Sequence, residues 1–362
     1  MSTVLTTEDV RNLRTGAHFL ACTIDPTAIY IYAEMIQRAM KDRSLELITV
    51  DELAPDDLVV AVGMVTQGLF IADMPPVGDE FLGCIRAIET SLGRSVRAIY
   101  PLAAANINGI APLMVGLQSS LPVIDSDPMG RVFPLISQTT LNIGNVPIGP
   151  IALMGVTGDR AVIEAESPQR AETLVRALVT ELGGWAATAM YPCSAQQLKE
   201  HGVHGTISRM IRIGQILNAT TPVERKLLLL TDLLGTTLIA RARVSHIESL
   251  SRPTDLGLPA QPSSVTLEDL TTGRIVRLEI QNEILLVLVD GGVAAAVPDM
   301  VTLLSSEQGT VVNIDDVQVG DVIDILKITA DAAWYTETGL DLSEPKAFGI
   351  PIGHPRRRRA QT

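Results

Sequence analysis

Aromatic side chains are scarce in this chain. Two Trp, five Tyr and five Phe make up 3% of 362 residues, so the core must be aliphatic. Cysteine is scarcer still. Cys22, Cys84 and Cys193 are widely spaced and odd in number, which argues against a disulfide framework or a zinc ribbon and fits a reducing cytoplasm. Five histidines are few for a metalloenzyme. Charge is thin, at 19% of residues, and leans one way: 28 basic against 41 acidic side chains give a formal charge of -13. A net anion of that size is repelled by a phosphate backbone, which argues against nucleic acid as a partner. No G-x-S-x-G, Walker loop or G-x-G-x-x-G occurs, so the commonest nucleophile and nucleotide signatures are missing. Residues Met1 to Asp9 show no basic region followed by an apolar core, so no export signal is expected.

Two stretches carry no charge at all, Ala98 to Ile124 and Val132 to Gly158. Each is broken by Pro and Asn, including Pro101, Pro112, Pro122, Pro147 and Pro150. Such breakers fit loops and buried strands rather than a membrane helix. Mean hydropathy is nevertheless positive, at +0.28. Surplus apolar surface at this charge density predicts burial between subunits, hence a homo-oligomer.

A chain of this length exceeds one ordinary domain. Residues 1–166 alternate short apolar runs with helical periodicity, which predicts an α/β domain with a mainly parallel sheet. Helices are expected over 7–20, from an Asp25 cap with Pro26 following, and over 79–92 ahead of Gly93. Residues 167–355 read as helices followed by a β-rich domain of α+β type. Ser167-Pro168 opens one helix and the capping box Ser194 to Gln197 opens another. Short alternating strands then run from Thr237 to Ile328. Residues 356–362 carry a four-arginine run and read as a disordered basic tail.

The densest chemistry lies in Leu121-Pro-Val-Ile-Asp125-Ser-Asp127-Pro-Met-Gly130-Arg131-Val-Phe-Pro134. An apolar run ending in acids, Pro, Gly and Arg suits a buried strand with its loop at the carboxyl end, where α/β sheets bind ligands. If the backbone stays extended, Asp125 and Asp127 share one face and repel, favouring a shared proton, a cation or Arg131 as partner. Arg131 also suits a ligand carboxylate. Strand 96–102, its loop, a helix and the Leu121 strand form a β-α-β unit, which brings Asn106 and Asn108 toward Asp125 and Arg131. The alternative is a structural strand-end turn in which Asp125 caps backbone amides. His201 and His204 form an H-x-x-H, a weak metal signal set against two exposed loop histidines. His18, His246 and His354 stand alone. Cys193 precedes a capped helix, where a low thiol pKa competes with the commoner reading of a buried filler.

Taken together, these motifs resemble the S-methyl thiohydantoin desulfurase domain family, which is associated with hydantoinases and oxoprolinases. The likeness rests on Val59 to Met64, the Leu121 to Pro134 stretch, Tyr191-Pro-Cys-Ser194, Gly205-Thr206 with Arg212-Ile-Gly214, Gln281-Asn282-Glu283, Val297-Pro298-Asp299, and Gly339 to Gly349. It implies hydrolytic removal of sulfur or a methylthio group from a five-membered ring, in some members with a divalent metal such as zinc. The alternative is a non-catalytic relative that binds a small heterocyclic or anionic ligand, or a subunit partnering a hydantoinase- or oxoprolinase-type enzyme. On the hydrolytic reading Asp125 and Asp127 are the candidate catalytic residues. Arg131, Asn106, Asn108 and Gly130 are the candidate substrate-binding ones. The chain departs from the family at Phe19 to Pro26, where a glycine-rich run is usual, and at Ala103 and Leu135, where acids are usual. Desulfurisation of the substrates that glycine-rich members accept is therefore expected to be weak or absent.

Overall fold

The computed structural model of the chain describes residues 3–22, 26–66, 74–249, 263–281 and 283–356. The Asp25 cap, Thr23, Ile24, Asn282 and the arginines from 357 onward lie outside the described residues. Two compact units emerge, Met1–Ala17 with Thr27–Arg212, and His18–Pro26 with Ile213–Thr362.

The first unit opens with β1 (Thr3–Leu5), α1 (Thr7–Phe19), α2 (Thr27–Ala39), β2 (Leu45–Ile48), β3 (Leu58–Thr66) and α3 (Asp79–Leu92). It continues through β4 (Ala98–Pro101), α4 (Ala111–Ser119), β5 (Val123–Ile124), β6 (Ser126–Asp127), α5 (Thr140–Ile143), β7 (Ile151–Gly155) and β8 (Arg160–Ile163). Then come α6 (Pro168–Glu181), β9 (Trp185–Ser194), α7 (Ala195–His201), β10 (Val203–His204) and the start of α8 (Thr206–Asn218).

Its eight-stranded sheet has the order β1-β2-β5-β4-β3-β9-β7-β8. The α/β reading holds. Strands β2, β5, β4 and β3 form a parallel heart, and the strands outside it pair antiparallel. Every residue of β3 from Leu58 to Val65 is buried, as a strand covered on both faces requires. The expected β-α-β crossover is β4-α4-β5. The Leu121 run supplies only Val123 and Ile124 to the ladder, because Pro122 just before them has no N–H to donate. Helix α3 buries Phe81, Cys84, Ile85 and Ile88 and ends at Gly93 with φ 63°, a left-handed residue that suits glycine. Strand β9 runs antiparallel along β3, so residues 167–212 complete this unit's sheet. The uncharged stretch after Val132 supplies α5 and the edge-side strand β7.

The second unit carries the rest of α8, then α9 (Val223–Leu234), β11 (Thr237–Ser249), β12 (Ser263–Asp269), β13 (Ile275–Ile280) and β14 (Ile284–Val289). It ends with β15 (Gly292–Ala296), β16 (Met300–Ser305), β17 (Val322–Ile328) and α10 (Glu337–Ser343). The seven strands form one antiparallel sheet, β15-β14-β13-β12-β11-β17-β16. Alternation drives it: Val276, Leu278 and Ile280 are buried while Ile275 is exposed and Arg277 and Glu279 are half-exposed, the period-2 pattern of a sheet with one covered face. Val244, Leu267, Leu303, Ile323 and Ile325 fill the same core, each worth about 1.5–3 kcal/mol of burial. The segment around Cys22 belongs here too: Thr302 Oγ1 donates to the Phe19 carbonyl at 2.7 Å and Ile314 N–H to the Cys22 carbonyl at 2.9 Å.

Candidate functional site

The carboxyl end of β5 leads directly into the acidic turn. Asp125 N–H still donates to the Ile48 carbonyl at 2.8 Å, prolonging the β2–β5 pairing. The chain then leaves this sheet, and β6 pairs with β10 instead, Asp127 opposite Val203 and Ser126 opposite His204. That switch delivers the turn to the N-terminus of α8.

Asp125 serves that helix. Gly205, just ahead of α8, has φ 69° and no side chain to cap with. Asp125 supplies the missing acceptor: Oδ1 takes the Ile207 and Ser208 N–H groups at 2.8 and 3.1 Å, and Oδ2 takes the Ser208 hydroxyl at 2.5 Å. Its own carbonyl accepts from Gly205 N–H at 2.8 Å. A carboxylate in this position satisfies orphan amides and meets the positive end of the helix dipole.

Asp127 is placed differently. Its Oδ1 accepts the Met129 and Gly130 N–H groups at 2.6 and 2.7 Å, an arrangement that closes the turn. Gly130 sits at φ 66°, and a Cβ there would lie 3.0 Å from Val203, so both conformation and space call for glycine. The carboxyl is fully buried, and Oδ2 has no hydrogen bond. Burial pushes its pKa up to about 6 against the pull of the two amides, the Arg209 charge and the adjacent Thr206 hydroxyl. The Arg209 side chain is tethered through Nη2 to the Gly130 carbonyl at 3.0 Å. Thr206 Oγ1 and Arg209 Nε are likewise buried without a hydrogen bond.

The other predicted residues form separate contacts. Arg131 is buried, its guanidinium 4.0 Å from the Phe133 ring centroid, with Nε donating to the Val132 carbonyl at 3.3 Å. Asn106, at φ 49°, accepts the Asn108 N–H at 2.8 Å. Asn108 closes on the end of β3, with Oδ1 accepting from Met64 N–H at 2.6 Å and Nδ2 donating to the Met64 carbonyl at 3.3 Å. Gly63 makes room for this, since a Cβ there would lie 2.9 Å from Asn108 Oδ1. The structure thus joins Asp127 to Gly130 and Asn106 to Asn108, and no hydrogen bond links either asparagine to Asp125 or Asp127. A cleft of about 520 Å³, lined by Asn142, Asn145, Pro150, Glu164 and Glu166 among others, contains none of these residues.

Metal-ligating side chains do not converge. Among the described residues no three His, Cys, Asp or Glu side chains gather at one point. His204 Nε2 lies 3.0 Å from the Lys199 carbonyl, and the His201 ring packs against Gly144. Asp125 and the inner oxygen of Asp127 are spent on amides, so the described residues do not fit a zinc centre. All three cysteines are buried, and burial pushes the Cys193 thiol up to about 11, an inert group rather than a nucleophile.

Two contacts escaped sequence reasoning. One is Thr206 and Arg209 beside Asp127, for which the quoted Gly205-Thr206 motif was a signal. The other lies in the second unit, where the Tyr335 hydroxyl donates to Asp299 Oδ1 and His354 Nε2 lies 3.6 Å from Asp299 Oδ2. His354 therefore does not stand alone. Burial pushes the Asp299 carboxyl up, but the nearby His354 ring and the Tyr335 hydrogen bond outweigh it and leave the pKa below its usual value.

Together these features define a two-unit α/β and antiparallel-β protein with a sealed carboxylate turn at a helix N-terminus. The chain belongs to the S-Me-THD-like family, matching the model of its N-terminal domain over residues 8–165 and of its C-terminal domain over 166–355. The crystal structure of a protein from Chromobacterium violaceum is similar in fold, with a TM-score of 0.77 at 20% identity, covering 99% of this chain and 97% of that one. Comparison with curated proteins gives no match. No helix among the described residues is long and apolar enough to cross a membrane.

Proposed function

We propose that the chain hydrolyses thiohydantoin-type five-membered rings, with Asp127 as its acid–base group. Membership of the S-Me-THD-like family supports the substrate class. The observation that carries the chemistry is the asymmetry of Asp127: one oxygen is fixed by two amides while the other is unbonded, in a buried carboxyl raised to about 6. A base poised near neutrality is what water activation needs. Water adds to the ring carbon that bears sulfur, Asp127 takes its proton, and the C–S bond breaks. From an S-methyl ring the sulfur leaves as methanethiol with that proton while the water's second proton passes to the ring nitrogen, and from a thioxo ring both protons leave with the sulfur as hydrogen sulfide; a ring carbonyl remains. Asp127 is enclosed by its own turn, so the turn must open toward a substrate. Hydrogen exchange at Met129 and Gly130 reports that opening.

A second reading is a non-catalytic relative that binds a small heterocyclic or anionic ligand, or partners a hydantoinase- or oxoprolinase-type enzyme. The full use of Asp125 as a helix cap favours it, because one of the two candidate carboxylates is then structural. Methanethiol release from an S-methyl thiohydantoin panel separates the two. Turnover lost in Asp127→Asn supports hydrolysis, and tight binding without turnover supports the second reading. Exposed apolar side chains such as Val4, Leu228 and Val319 support self-association, which sedimentation velocity tests.

A further inference from the structure

The residues around Asp127 contain three buried polar atoms without hydrogen-bond partners: Asp127 Oδ2, Thr206 Oγ1 and Arg209 Nε. Unmatched buried groups are costly and rare. These three are contributed by adjoining pieces of one local structure, the Asp127 turn and the first turn of α8. Arg209 reaches the turn directly, because its Nη2 is fixed on the carbonyl of Gly130, whose N–H in turn holds Asp127 Oδ1.

We propose that Arg209 is a positioning residue for Asp127: its tether to Gly130 holds a positive charge near the buried carboxyl and so sets how readily Asp127 gives up its proton. This rests on the hydrolytic reading for its consequence in catalysis, but not for its electrostatics.

The neighbouring charged groups are already committed elsewhere. Asp125, on the same turn, is satisfied by Ile207 and Ser208. His204, on the paired strand β10, turns its Nε2 to the Lys199 carbonyl. Arg131 stacks its guanidinium on Phe133. Thr206 adds a hydroxyl but no charge. Arg209 is fixed on the Asp127 turn itself, through the Gly130 carbonyl, and its charge opposes burial at Asp127. Without it, only the Met129 and Gly130 amides and the Thr206 hydroxyl oppose burial, and a buried carboxyl resists ionisation.

The test is a ¹³C titration of the Asp127 carboxyl in the full-length chain, with the resonance assigned by its loss in Asp127→Asn. Arg209→Met is expected to move the midpoint up by about one pH unit or more, a tenfold or larger change in proton affinity. Arg209→Lys, which keeps the charge but loses the planar fork, is expected to fall between the two. Thr206→Val controls for general loosening of the helix start and is expected to shift the midpoint less than Arg209→Met. An Asp127 midpoint unchanged within 0.3 pH unit in Arg209→Met overturns the proposal. If Arg209→Met does not fold, Arg209→Gln, which keeps a donor for the Gly130 carbonyl but removes the charge, decides: an unchanged midpoint overturns the proposal. Should the wild type show no turnover, the hydrolytic reading fails while the titration still decides the role of Arg209.

Discussion

Replacing Asp125 with alanine tests whether this carboxylate is structural. In the native chain it accepts two α8 amides at 2.8 and 3.1 Å and the Ser208 hydroxyl at 2.5 Å. Loss of an N-cap side chain costs about 0.5–2 kcal/mol, and a buried donor left unsatisfied costs about 1–3 kcal/mol. Asp125 is half-exposed, so water recovers part of that loss, and Asp125→Ala is expected to cost about 2–3 kcal/mol. Asp125→Asn keeps one acceptor oxygen for the amides and is expected to cost about 1 kcal/mol. Urea denaturation followed by circular dichroism gives the stability change. Hydrogen exchange at Ile207 and Ser208 localises it, which matters because a chain of two units need not unfold in one step. An alanine variant within 0.5 kcal/mol of wild type, with protected amides at 207 and 208, would refute the capping role.

Three further outcomes are expected. The raised pKa of Asp127 means that the folded state holds this proton more tightly than the unfolded chain. Its contribution to stability is full below pH 4 and disappears as pH rises through about 6, a change of about 3 kcal/mol. Asp127→Asn should therefore remove that part of the pH dependence, read as the difference between the two denaturation curves from pH 4 to 7. Gly130→Ala forces a side chain into the left-handed region beside Val203 and should cost about 1–2 kcal/mol in the same urea assay. Tyr335→Phe removes the phenol that donates to Asp299. The Asp299 carboxyl should then titrate at higher pH, which ¹³C carboxyl shifts will show.

Most of the fold was legible because its cues are local. Ser167 and Ser194 do cap their helices, accepting N–H groups at Arg170 and Gln197, and Gly93 and Gly235 end theirs in left-handed conformations. The site was less legible because its cues are long-range. Spacing placed Asp125 and Asp127 on one face of an extended strand. In the structure Ser126 and Asp127 pass to a different strand partner, so the two carboxylates meet different amides. Nothing between residues 125 and 207 indicates that Gly205 lacks a cap that Asp125 will supply. Asn108 fits the same explanation: its partner, Met64, lies 44 residues away and is reached only once β3 and the loop after β4 are packed.

The hydrolytic assignment turns most directly on one comparison, methanethiol release from S-methyl thiohydantoins by the wild type, Asp127→Asn and Asp125→Asn at matched folded concentration. Removing a general base costs about 10²- to 10⁴-fold in rate. Asp127→Asn is expected to fall by that factor, while Asp125→Asn keeps turnover close to that of the wild type. Release that is equal in Asp127→Asn and wild type, or absent from a wild type that binds the same compounds, would contradict the assignment of Asp127 as the acid–base group.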